Sequence, residues 1–295
     1  MIDTHPTELL LRQRLAALSR TLPSARDGEV TAIHHARVAT RRLREALPLT
    51  TGPKGRKLKK VACRLTRALG EVRELDVALI NLEEVASGAS LPPEGIDHLR
   101  LSIQEERQRL HLDMVRKIER IDLDRFERKA VAAARRLIER GGDETDVASR
   151  LRGVIKRASR RALSLQAAIE NAGGIYLPDR LHQVRIAVKK LRYTMEIAKE
   201  LSRSRASARL RTLKSAQDLL GRMHDLEVLI TRIRALQGSD RAPTLKVSAD
   251  LDRLVRRTEM ECRQLHVRYM GFKKKLLELC DYVTSTDEHQ PASAA

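Results

Sequence analysis

Two short basic runs carry most of the chemistry legible in the chain. The first is His34, Arg37, Arg41, Arg42 and Arg44; the second is His182, Arg185, Lys189, Lys190 and Arg192, at a constant offset of 148 residues. At 100° per residue on an α-helix, His34, Arg37, Arg41 and Arg44 fall within a sector of ~80°, as do His182, Arg185, Lys189 and Arg192. No acid lies between the first and last member of either run. Solvated helix faces mix signs to gain i,i+4 pairs, whereas like charges on one face repel. A uniformly cationic stripe built twice therefore points to a polyanionic ligand. Arg suits phosphate because its planar fork binds two oxygens and stays charged; Lys adds a point charge. His34 and His182 could be satisfied core histidines, but their place at the head of both stripes favours a role as phosphate donors. Arg42 and Lys190 lie at the stripe edges and rank second.

The segments after each run extend the pattern. Lys57, Lys60, Arg64 and Arg67 share one side of a helical segment whose other side is Leu58, Val61, Ala62, Leu65, Leu69 and Val72. In the second copy Arg211 and Lys214 remain, on a thinner face that contains Asp218. Behind the stripes lie the core faces Ile33, Ala36, Ala39, Leu43, Leu47 and Val184, Ala187, Val188, Leu191, Met195. Of the formal net charge of +19, residues 34–73 carry +10 (12 Lys/Arg against Glu45 and Glu71) and residues 182–222 carry +8 (11 Lys/Arg against Glu196, Glu200 and Asp218). The rest of the chain is almost neutral.

Catalytic chemistry finds little support. Gly52-Pro-Lys-Gly55-Arg-Lys57 does not fit a phosphate-binding P-loop. Glu259-x-Glu261-x-Arg263 lies in a helical segment and ends in Arg. Asp179-x-x-His182 is one fragment of a di-metal bundle spacing without its partners, and no Ser or Cys has a triad setting. The expectation is a non-enzyme with no catalytic residue, no metal and no cofactor. His111 and His266 sit beside leucines as structural residues. Asp76 and Glu227 project into apolar stripes, where burial demands a partner, expected to be Arg or His. Cys63, Cys262 and Cys280 form no C-x-x-C pair, the N-terminal residues lack a secretory pattern, and no apolar run approaches ~18 residues. These features predict a reducing, cytoplasmic setting and no membrane partner.

The elements that must position these residues are helical. The aromatic share is 2% and the charged share 33%, as in Leu/Ala/Arg/Glu-rich bundles, and no stretch sustains period-2 alternation. Helices are predicted at 6–21, 28–48, 55–87, 93–120, 122–140, 145–172, 178–202, 205–236 and 245–283. The breaks fall at Pro23, Gly28, Gly52-Pro53, Gly88, Pro92-Pro93, Gly141-Gly142, Gly173-Gly174, Pro178, Gly238 and Pro243. A second repeated motif follows each basic run: Leu69-Gly70-x-x-Arg73-Glu74-Leu75-Asp76 and Leu220-Gly221-x-x-His224-Asp225-Leu226-Glu227, offset by 151 residues. The expected fold is all-α: two pseudo-symmetric four-helix bundles from an internal duplication, with halves at 1–140 and 141–285 and a disordered tail at 286–295.

The paired motifs resemble the histidine α-helical domain family, CHAD, over roughly residues 5–283. They run His34/Arg37/Arg41-Arg42-Leu43-Arg44 with Leu69-Gly70…Asp76, then His182/Arg185/Lys189-Lys190-Leu191-Arg192 with Leu220-Gly221…Asp225. The resemblance implies two helical bundles about a pseudo-two-fold axis, a basic central groove or channel that binds inorganic polyphosphate, and association with polyphosphate granules. Glu74 stands where an Asp is usual, and His224 where an Asn is usual. The implied polyphosphate-binding residues are His34, Arg37, Arg41, Arg44, Lys57, Lys60, Arg64, His182, Arg185, Lys189, Arg192, Arg211 and Lys214.

A chain this basic also binds nucleic acid at low salt, without sequence preference. Readout of single strands uses aromatic platforms, and of the aromatics only Tyr193 lies in a basic window. A phosphate-only ligand needs cations and nothing else, which fits better. A scaffold recruiting an acidic protein is a third reading. The sequence does not set the oligomeric state.

Overall fold

The computed structural model describes residues 5–87, 93–141, 143–202, 207–239 and 243–288. Over these residues the chain is all-α. The helices are α1 (Pro6–Arg26), α2 (Val30–Thr50), α3 (Gly55–Ser87), α4 (Pro93–Glu119), α5 (Leu123–Gly141), α6 (Asp143–Ala172), α7 (Pro178–Ser202), α8 (Ser207–Gln237) and α9 (Leu245–Glu288), with a 3-10 turn at Gly52–Lys54. Gly88, Pro92 and Gly142 lie outside the described residues, as does the tail beyond residue 288. None of the described helices is long and apolar enough to cross a membrane.

Local chemistry explains the boundaries. His5 Nδ1 accepts from the Thr7 amide at 3.2 Å, and Pro6 opens α1 where an amide would have no partner. Asp122 accepts from the Arg125 amide at 2.8 Å at the start of α5. At the end of α2, the Thr50 and Thr51 hydroxyls back-bond to the Ala46 and Leu47 carbonyls at 3.2 and 2.6 Å, and the Leu47 carbonyl also accepts the Thr51 amide at 3.0 Å. Pro23 does not break the chain as predicted: α1 passes through it to Arg26. In the last turn the missing amide removes one bond only, and the Pro23 carbonyl still accepts from Asp27 at 3.1 Å. The break comes at Gly28, whose φ of 92° is left-handed.

The helices pack as two compact units that interleave along the sequence. One comprises Met1–Arg73, Arg109–Ala158 and Tyr193–Ala206; the other comprises Glu74–Gln108, Ser159–Arg192 and Ser207–Ala295. Packing thus groups the chain differently from the repeat boundary near Gly141, because α3, α4, α6 and α7 each supply both units. In the first unit α1 lies on α2, and Leu11, Leu15, Ile33, Leu43, Leu65 and Met114 share one core. In the second, α8 lies on α9, and Leu75, Leu99, Val184, Leu226, Val255 and Tyr269 are buried. The apolar face predicted behind the first stripe is buried throughout, and Leu43 is wholly so. Truncating a leucine so placed to alanine costs about 2–5 kcal/mol.

Candidate anion-binding site

In the first unit, α2 and the start of α3 form an antiparallel pair whose register Arg37 sets. Its Nη1 donates to the Thr66 carbonyl at 3.1 Å. It lies so close to Gly70 that a Cβ there would sit 2.0 Å from Nη1. At the other end of the pair, a Cβ on Gly55 would sit 2.7 Å from the Leu47 carbonyl oxygen. The pair is thus tied at Arg37 and Gly70 and again at Leu47 and Gly55. Arg41 and Arg44 are half-buried, whereas Lys57, Lys60 and Arg64 are exposed. Among the described residues, none of these five cations has an ion-pair or hydrogen-bond partner. His34 heads the stripe in an exposed position. Desolvation and then the nearby Arg73, with His35, Arg41 and Arg37 behind, push its pKa below the ordinary value.

The second unit repeats the register with different chemistry. Gly221 stands to Arg185 as Gly70 does to Arg37, more loosely: its Cβ would lie 3.9 Å from Arg185 Nε. Arg185 Nη2 is 3.5 Å from Asp225 Oδ1, and Arg192 Nε donates to Gln217 Oε1 at 3.0 Å. His182 Nδ1 lies 3.1 Å from His224 Nδ1, and His224 occupies the repeat position of Arg73. Burial, then Arg185, His182 and Lys189, push His224 down to about 3. Burial, Arg185 and Lys189 also lower His182, against a small opposing pull from Asp179. Both rings are therefore neutral near pH 7.

The remaining candidates fall into place unevenly. Lys214 and Arg211 lie one and two turns beyond the Arg192–Gln217 contact, past the end of the stripe. Lys214 pairs with Asp218 at 3.2 Å and Arg211 donates to Ser207 at 3.1 Å, so the second face is thinner, as expected. Arg42 pairs with Glu196 at 3.2 Å, in keeping with its second rank. His111 Nε2 hydrogen-bonds the Arg26 carbonyl at 2.9 Å under Gly28, and His266 is buried against the Tyr176 ring. Asp76 takes Arg107 at 2.6 Å. Glu227 differs from expectation, accepting from the Tyr176 hydroxyl.

Sequence reasoning missed two features. Gly70 is a clearance for Arg37, and Gly221 lies opposite Arg185 with room to spare, a relation signalled only by their matched place after a leucine in each repeat. Tyr176 carried no signal at all, lying outside both repeated motifs. Burial pushes the thiols of Cys262 and Cys280 up to about 12, far from the range of a nucleophile. Among the described residues no group of three or more His, Cys, Asp or Glu is placed to hold a metal ion.

The family profile of the CHAD domain matches residues 9–234, well over half the chain. The crystal structure of the CHAD domain from the plant Ricinus communis is similar, with a TM-score of 0.68 at 21% identity, covering 90% of each chain. PptA from Streptomyces chartreusis is similar at a TM-score of 0.58 and 15% identity, covering 97% of this chain and 98% of that one. No curated protein sequence matches. The paired His/Arg stripes, the matched glycines opposite Arg37 and Arg185, the all-α architecture and the profile match agree: the chain belongs to the CHAD-domain family.

Proposed function

We propose that the protein binds inorganic polyphosphate non-covalently, without catalysis, through the α2/α3 pair of the first unit and the α7/α8 pair of the second. The observation that carries this reading is the group Arg41, Arg44, Lys57, Lys60 and Arg64. These five cations lie along one helix pair with no ion-pair partner among the described residues. Holding like charges together costs free energy unless an anion offsets it. A linear chain of phosphates offers one acceptor group per unit and no base, matching cations arranged without aromatic platforms. The CHAD resemblance supports the same ligand, and association with polyphosphate granules would follow from it.

The test is competition at physiological salt between long-chain polyphosphate, duplex DNA and single-stranded RNA for the full-length protein. Polyphosphate should displace both nucleic acids at equal phosphate concentration. Displacement of polyphosphate by either nucleic acid would replace this reading with non-sequence-specific nucleic-acid binding.

A further inference from the structure

Where His182 meets α8, at the head of the second stripe, lies a cavity of about 310 Å³, at the small end of the range for ligand pockets. Its walls differ from the stripe. Besides His182 and His224 they include Asp179, Glu227, and Tyr176 and Thr231, whose hydroxyls both donate to Glu227, set among apolar side chains. An internal phosphate of a chain has only accepting oxygens and a fixed negative charge, so it gains nothing by facing two carboxylates.

The imidazole pair sharpens the requirement. A hydrogen bond between His182 Nδ1 and His224 Nδ1 at 3.1 Å needs one proton between the two nitrogens. With both rings neutral, the ring that donates from Nδ1 keeps a bare Nε2, and the ring that accepts keeps an Nε2–H. Whichever tautomer forms, the pair has one further acceptor and one further donor to offer. Such a mixed lining suits a group that both donates and accepts.

We infer that this cavity takes the end of a polyphosphate chain, a terminal phosphate in its monoprotonated form, while the stripe holds the units behind it. The inference rests on the polyphosphate reading of the stripes. Only a terminal unit has a second ionisable oxygen, of the kind that titrates near neutrality in phosphate monoesters. Protonated, it donates to the bare imidazole nitrogen or to the Asp179 carboxylate. Its other oxygens accept from the second imidazole. The first copy of the motif is built otherwise. Arg73 stands at the repeat position of His224, and Asp76, at that of Glu227, is paired with Arg107. End capture therefore belongs to α7/α8.

The test uses a short polyphosphate of defined length at about pH 5, below the second ionisation of a terminal phosphate, free-ended or with both terminal phosphates alkylated, so that charge is kept and the end hydroxyl is lost. The wild-type protein should bind the free-ended chain about tenfold more tightly, the equivalent of one charge-assisted hydrogen bond. In His224→Asn, checked for unchanged helicity, that ratio should fall towards one, while Arg136→Gln should keep it. Equal binding of the two chains by the wild-type protein overturns the end-capture inference and leaves the stripes intact. Failure of long, free-ended polyphosphate to bind at physiological salt overturns the polyphosphate reading itself, and this inference with it.

Discussion

Replacing Arg41, Arg44 and Lys60 together by glutamine is the sharpest test of a phosphate-binding stripe, because it removes charge without touching the packing. The three side chains have no partner among the described residues, and their helices bury other faces, so folding should be nearly unchanged. Counterion release makes log affinity fall linearly with log salt, by about 0.7 per phosphate contact for a single strand. Taking that coefficient for polyphosphate, loss of three contacts should reduce the slope by about 2. Over a fourfold change in salt, that amounts to about an eighteen-fold difference in how far affinity drops. The matched triple Lys189→Gln, Arg192→Gln and Lys214→Gln should reduce the slope less, because Lys214 already has Asp218 beside it. The assay is fluorescence-detected binding of labelled polyphosphate over a salt series, with the exposed Arg136→Gln as control. An unchanged slope in the first triple, or an equal change in the control, would mean that net charge acts diffusely and the stripe has no special role.

Gly70→Ala should gain about 1 kcal/mol of helix propensity yet destabilise the protein by about 1 kcal/mol net, since its Cβ evicts Arg37 from the Thr66 carbonyl; net stabilisation in urea unfolding would show that Arg37 is not held there. Stability should also fall with acid earlier than carboxylates alone explain. His182 and His224 have folded pKa values below their unfolded ones, so the unfolded chain takes up protons first. The loss begins as pH drops through about 6.5 and runs at most about 1.4 kcal/mol per pH unit for each ring. His224→Asn should flatten the melting-temperature profile between neutral pH and pH 5, and an unaltered profile would refute the neutral assignment. Long chains should outbind tripolyphosphate at equal total phosphate by far more than a per-unit sum, and calorimetry showing equal potency would mean that each stripe acts alone.

Helix positions were legible in the sequence because the apolar period is strong and the turn residues are sharp. Six of the nine helix starts among the described residues fall within one residue of the periodicity, and the clearest error is Pro23. There, proline signals a stop, but in a terminal turn it removes only one hydrogen bond, and the Leu10–Leu22 face keeps α1 anchored past it. The stripe residues were legible for the same reason: charge segregates cleanly from the buried face. What stayed hidden depends on the meeting of two helices. That Arg37 reaches over to Gly70, or that Tyr176 finds Glu227, follows from inter-helix register, and no periodicity within one helix encodes it.

The two copies show which part of that register the fold constrains. Each unit keeps a signature arginine passing a helix glycine, and in each the residue three places beyond that glycine lies beside the leading histidine. These contacts set where the helices sit, so they recur even though the offsets of the two motifs differ by three residues. The side chain beside the histidine is free of that duty. As Arg73 it adds a cation to a stripe already rich in them; as His224 it makes a neutral pair next to two carboxylates. Substituting one for the other changes the local field without moving the backbone. A duplicated helix pair can in this way keep one geometry and present two chemistries, one suited to the uniform charge of a chain interior and the other to a group that must also donate a proton.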